Sequence, residues 1–579
     1  MTSLKNPISK ELLSELQADL GSRRIEVGMQ RLASCSHIFG SFDPSMENAT
    51  QFLGIVAQWC DLGFGDVGLV KQLLKNYPLE SRFALPITDY VQVSMAKGMV
   101  AMAEEVFDEA ISHFDIVLKL APESESWNAV STVSCWMARC LKEKGLYENA
   151  LSLIRRAEEV QRECGHVRND GPARVLEGFV LFAKGESKSA IKNLQGAQDL
   201  LNGTDDYESL GHIQALHGRI MHQNLRDDLA IQYYQKAIEL FQKSKARPDN
   251  IARTIVDMAC SNFNIMRRLR RSIDEGSQQQ ESKLQGTSRA VLLQELSDLC
   301  GQTLAGLDRA AQIYRDASDT RGVSRVHVIR GFLYLESGEL DLAANEAENG
   351  YQLARSKNDQ LRMATARNLQ CLVENTAVEE GIGGVAEHAL AALEYAREAV
   401  ELAGNTPHRM VLASAYIYLG LILSNEYFNN REGAHDVMER VAPCLESDLL
   451  YFVRESYQRL KKRLREEVTL ESALIRLAQG EIGAKTYREL MEDFTDLVIS
   501  TVWDEEKRVI KYTAARLSIS RKKVRRVLRK LDLVETKRRT RREGPRLPAT
   551  DPHGRGIPAG KNRGRHADGR GLKIRRSPN

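Results

Sequence analysis

Seven cations fall within ten residues near the C-terminal end of the chain: Arg521, Lys522, Lys523, Arg525, Arg526, Arg529 and Lys530. On a helix that turns about 100° per residue, Lys522, Arg525, Arg526 and Arg529 gather on one arc, flanked by Arg521, Lys523 and Lys530. Val524, Val527, Leu528 and Leu531 share the opposite arc. One face is built to pack and the other to meet solvent or a polyanion. Guanidinium and ammonium groups at this density neutralise phosphates. The same pattern also describes the solvated face of a last helix, so the residues around it must decide.

Other constellations that could carry chemistry fail on spacing. Gly483-Ala484-Lys485-Thr486 lacks the adjacent Gly-Lys-Ser/Thr and the preceding strand that cradle a phosphate, and reads as a helix break. His212, His217 and His222 step by five, about 140° around a helix, so they cannot share one face as metal ligands. Cys135 and Cys140 fail by the same geometry. Carboxylate pairs such as Glu104-Glu105 and Glu379-Glu380 stand beside no nucleophile or histidine and read as solvated surface. No catalytic residue, metal site or cofactor is expected, and the chain is not expected to be an enzyme.

The elements that must position the cations belong to a chain of 579 residues with 42% apolar and 27% charged residues and 14 prolines, a composition that favours helix. Its net charge is +3, but from 505 onward there are 25 Lys or Arg against 7 Asp or Glu, a net of +18. An acidic body therefore carries a basic end, the distribution of a polyanion-binding terminus. The nine cysteines are scattered and never spaced C-x-x-C, which implies free thiols in a reducing compartment. The N-terminus carries no secretory pattern, and MVLASAYIYLGLIL (410–423) is too short to span a bilayer comfortably. A cytoplasmic protein with no membrane partner is expected.

Alanines mark an internal repeat. Ala110, Ala150, Ala190 and Ala230 recur every 40 residues; four positions later stand Phe114, Ile154, Leu194 and Tyr234, and three further Val117, Ala157, Ala197 and Ala237. Twelve residues before each anchor comes a small residue: Gly98, Ala138, Gly178 or Gly218. Gly145 and Gly185 follow seven after theirs, and Pro122 closes the first pair. This pattern resembles the tetratricopeptide (TPR) repeat, whose helical hairpins pack through small residues into a continuous core. A period of 40 against that family's usual 34 implies longer helices or connections. Looser repeats continue with Gly331, Gly338 and Ala343, then at about 359–404 and 407–446.

The stretch before the cations gives them their setting. EKRVIKYTAARLSIS offers a short helix with Thr513 and Ala514, then a turn at Ser518 and Ile519; Ser520 is a good N-cap for the cationic helix. Here the chain resembles the Fis-type helix-turn-helix. Thr513-Ala514 match its alanine pair, Ser518-Ile519 its Gly-Ile turn, Arg521 its arginine and Val524 its leucine. Ser518 stands where the family has glycine, and a left-handed backbone there would resist it. The resemblance implies a helix in the major groove, with Arg521, Lys522, Arg525 and Arg526 near base edges and Lys523, Arg529 and Lys530 on phosphates. It also implies that KTYRELMEDFTDLVISTVW precedes the motif as a dimerisation helix. After Tyr512 there is no Phe, Tyr or Trp, so duplex DNA is expected rather than a stacked single-stranded RNA.

The expected fold is all-α: a TPR-like superhelical solenoid of helical hairpins, a small helix-turn-helix unit and a disordered basic tail. The expected segments are an N-terminal helical region (1–90), repeats (91–470) with a flexible polar insertion (272–288), a Fis-like unit (471–535) holding the motif (509–533), and the tail (536–579). The expected function is a regulator that binds duplex DNA as a homodimer and a protein or peptide partner in the repeat groove. The alternative is a scaffold whose basic tail is a nonspecific nucleic-acid or ribosome anchor.

Overall fold

A computed structural model describes residues 8–75, 77, 85–163, 170–244, 247–279, 286–406, 408–445, 451–466, 487–531 and 533–534. The described residues form helices and no strands. The chain divides into two compact units, 1–467 and 468–579.

The first unit opens with α1 (Lys10–Ser22), α2 (Ile25–Ser34), α3 (Ser36–Ser41), α4 (Ala49–Asp61) and α5 (Val67–Leu74). These pack around Leu16, Leu32, Phe52 and Trp59, all fully buried. Paired helices then follow: α6 (Ile87–Ala103) with α7 (Phe107–Leu120), α8 (Trp127–Glu143) with α9 (Tyr147–Glu163), α10 (Asp170–Lys184) with α11 (Ser187–Leu201), and α12 (Tyr207–Gln223) with α13 (Asp227–Ser244). They run 14 to 18 residues, which accounts for the long period.

The repeat is an exchange of volume between the two helices of a pair. Gly98 faces Phe114, Gly178 faces Leu194 and Gly218 faces Tyr234; a Cβ on Gly218 would lie 2.5 Å from the Tyr234 ring. Each large side chain is buried against the backbone gap left by the small one, worth about 1.5–3 kcal/mol per side chain removed from water. The anchors Ala110, Ala150, Ala190 and Ala230 are all fully buried. The turn within each pair is left-handed at the same register: Glu105, Gly145, Gly185 and Leu225 have φ of 61°, 75°, 91° and 64°. Two of the four use glycine, which adopts that region without strain.

Beyond Ser244 the pairing continues with α14 (Pro248–Gln279) and α15 (Gly286–Asp316), α16 (Thr320–Ser337) and α17 (Leu340–Ser356), α18 (Gln360–Glu380) and α19 (Val385–Gly404), then α20 (Arg409–Leu423), α21 (Arg431–Val441) and α22 (Tyr451–Glu466). This is a TPR-like helical solenoid. α14 runs to Gln279 and α15 begins at Gly286, so helix takes in 272–279 and 286–288 of the expected polar insertion; Glu and Gln are good helix formers whatever their polarity. Residues 280–285 lie outside the described residues. The apolar stretch at 410–423 forms the buried helix α20, and no helix among the described residues is long and apolar enough to cross a membrane.

Long-range ion pairs cross the first unit. Asp61 accepts from Arg139, 78 positions away, and from Arg247, 186 away; Arg321 pairs with Glu105, 216 away. Glu105 and Arg321 sit in the turn after α6 and the first turn of α16. Sequentially distant hairpins thus touch.

Candidate functional site

The second unit contains α23 (Tyr487–Glu505), α24 (Ile510–Arg516) and α25 (Arg521–Lys530). Lys507 and Arg508, at φ 51° and 61°, turn the chain between the first two helices. Thr513 is fully buried and its hydroxyl donates to the Val509 carbonyl at 3.1 Å, which lets α24 lie close to its neighbours. The second turn places Ser518 at φ 51°, the left-handed conformation that favours glycine, and Ile519 N donates back to the Ala514 carbonyl. Ser520 caps α25: its hydroxyl accepts from Lys523 N at 3.2 Å.

Val524, Val527 and Leu528 are buried against Ile499, Trp503 and Ala514, with Leu531 at the edge. Two residues of the helix expected to mediate dimerisation, Ile499 and Trp503, are thus used inside the unit. Sequence reasoning did not single them out; their spacing of four, which places them on one face of the helix, was the available signal.

The opposite face of α25 exposes Arg521, Lys522, Lys523, Arg525, Arg526 and Arg529. None of these six is ion-paired among the described residues. The seventh cation, Lys530, is ion-paired within the unit: its ammonium lies 2.6 Å from Asp496 of α23. Arg516 is likewise held by Glu505 and Glu506 at 2.8 and 3.0 Å. Three of the free cations occupy the first turn of α25, where the helix dipole is positive and cations are unfavourable. An anion placed there would be drawn by both the side chains and the backbone amides.

In the first unit two buried aspartates are held by arginines. Burial pushes the Asp61 carboxyl up, but Arg139 and Arg247, with hydrogen bonds from Arg139 and Trp136, outweigh it and hold it at about 2. Burial opposes Asp257 in the same way; Arg219 and Arg325 hold it at about 2. The three histidines stand apart in environment. His212 lies edge-on to Phe179 and Phe241, His217 stacks on Tyr233, and His222 Nδ1 lies 2.8 Å from Asp227. No group of three or more metal-ligating side chains occurs among the described residues. The described cysteines are free thiols; burial pushes Cys60 and Cys135 up to about 12. Cys164, the 483–486 stretch, the start of the expected terminal unit (471–486) and the basic tail (536–579) lie outside the described residues.

No protein-family model matches the chain, and no curated protein does. Among solved structures it is similar to a Rap protein complexed with competence and sporulation factor, at 12% identity and TM-score 0.47 over 68% of this chain and 97% of that one. It is similar to the apo quorum sensor NprR from B. thuringiensis at 14% identity and TM-score 0.43, over 76% and 98%. Yeast Tom70 aligns at 15% identity and TM-score 0.35, over 83% and 86%. At these values the likenesses carry no conclusion about function.

Proposed function

We propose that this chain is a regulator that binds duplex DNA through α25 and a protein or peptide partner through its repeats. The observation that carries the DNA half is the division of α25 into a buried face and a face of six exposed cations without ionic partners. Lys530 and Arg516, by contrast, are held by acidic neighbours within the unit. The pair of helices, their left-handed turn and the N-cap support reading the unit as a helix-turn-helix whose second helix would enter the major groove. The partner half rests on the architecture: successive hairpins present a long continuous surface suited to an extended ligand.

Fluorescence anisotropy of the full chain with genomic duplex fragments, across a salt series, tests the DNA half. Arg525→Ala with Arg526→Ala is expected to weaken a preferred site by at least tenfold. Unchanged affinity in that variant, with all binding lost when 536–579 is removed, would return the scaffold with a nonspecific basic anchor.

A further inference from the structure

Three side-chain amides on three different helices have no hydrogen-bond partner among the described residues: Gln17 of α1, Gln92 of α6 and Asn128 in the first turn of α8. All three line one cavity of about 290 Å³, with Trp127 and Glu125 at its edge. A smaller cavity of about 30 Å³ shares Gln17 and Asn128 and extends inward to Gln161. There the Gln161 amide nitrogen donates to Ser131 Oγ at 2.7 Å, while its oxygen is buried without a partner. A buried acceptor left unmatched costs about 1–3 kcal/mol, so a donor supplied from the cleft would be gained at that point.

The cleft is also built to hold its amides. Gly54 of α4 faces Gln92, and a Cβ at that position would overlap the Gln92 amide oxygen. The far wall is α1, kept in place by the tie between Arg23 and Asp206. A primary amide presents a donor and an acceptor side by side, the complement of a peptide group. Amides make no demand for charge, and the carboxylate of Glu125 at the rim disfavours an acidic ligand. Trp127, 41% exposed at the mouth, offers an aromatic surface to one apolar side chain.

We propose that this cleft between α1 and the first repeat helices binds an extended, uncharged peptide segment. Gln17, Gln92 and Asn128 pair with its main chain, and Trp127 covers an apolar side chain. The proposal rests on the partner-binding half of the proposed function and gives that partner a location and a chemistry.

The test is selection of a phage-displayed random heptapeptide library on the full-length protein, followed by titration calorimetry of synthetic copies of the retained peptides. The expected result is an uncharged consensus bound about 5–10-fold more weakly by Gln92→Ala and by Asn128→Ala, as loss of one or two hydrogen bonds implies. The double variant should lose at least 25-fold at an unchanged unfolding midpoint. Retained peptides that bind the double variant within twofold of the parent protein, or that share a charged consensus, overturn the cleft and leave a peptide partner elsewhere on the repeats standing. Retention of no peptide overturns both.

Discussion

Arg23 and Asp206 stand 183 positions apart and meet in a buried two-point ion pair, with Arg23 Nε and Nη2 donating to one carboxylate oxygen at 2.8 and 2.5 Å. The other oxygen of Asp206 accepts from Ser209 N at 3.0 Å and so caps α12. Asp205 beside it accepts from Ile25 N and Glu26 N at 2.6 and 2.9 Å, capping the start of α2. Two consecutive aspartates therefore fasten the N-terminal helices to the loop before α12. Arg23 holds φ 55° to make this contact, a left-handed backbone in a non-glycine residue.

Arg23→Ala is expected to destabilise the first unit by about 3–5 kcal/mol, because it leaves the Asp206 charge buried without its partner. Amide exchange in α1 and α2 should accelerate more than in α16 to α19. A loss under about 1 kcal/mol, or uniform acceleration, would mean that the pair does not hold these helices.

Gly218→Ala weighs two opposing effects. Alanine favours helix by about 1 kcal/mol, but its Cβ would meet the Tyr234 ring at 2.5 Å. Overpacking should win, for a net destabilisation of about 1–3 kcal/mol. Adding Tyr234→Leu should recover part of it in urea unfolding. A stabilised Gly218→Ala variant would show that the two helices can separate freely.

Ser518→Gly should stabilise the second unit by up to about 1 kcal/mol, since relief of a left-handed serine outweighs the extra entropy of glycine in the unfolded chain. The measurement is amide exchange across α24 and α25. Faster exchange in the variant would contradict the turn geometry.

Lys530→Ala and Arg525→Ala should differ in DNA binding. Lys530 is engaged by Asp496, so its removal should leave the salt dependence nearly unchanged. Removal of Arg525 should lower the slope of log affinity against log salt by about 1 if it contacts phosphate, or cost about 1–3 kcal/mol at one base pair if it reads a base. Equal effects at both positions would assign the wrong face of α25.

Asp257 makes stability depend on acid. Its folded value of about 2 lies below the ordinary 3.8 because Arg219 and Arg325 outweigh the cost of burial. Its contribution is therefore fully present above about pH 5 and is lost as pH falls from 4 towards 2. Asp257→Asn should be less stable than the parent protein at pH 7, by about 2 kcal/mol or more, and the gap should narrow below pH 4. A pH-independent gap would mean that packing, not charge, explains it.

The repeats were legible along the chain because their cause is local and periodic: Gly98 with Phe114 and Gly218 with Tyr234 lie sixteen residues apart, within one hairpin. The cationic face of α25, its apolar back and its cap at Ser520 were legible for the same reason, since all follow from helical period. What the sequence alone did not contain was which charges are already satisfied. The pairing of Lys530 with Asp496, of Asp61 with Arg247 and of Arg23 with Asp206 depends on how hairpins stack, a non-local outcome that no spacing encodes. The same holds for the free amides of Gln17, Gln92 and Asn128, ordinary polar residues along the chain that only the tertiary structure brings to one cleft. Periodicity determines which face of each helix is buried. Only the packed solenoid decides which polar groups remain available to bind something else.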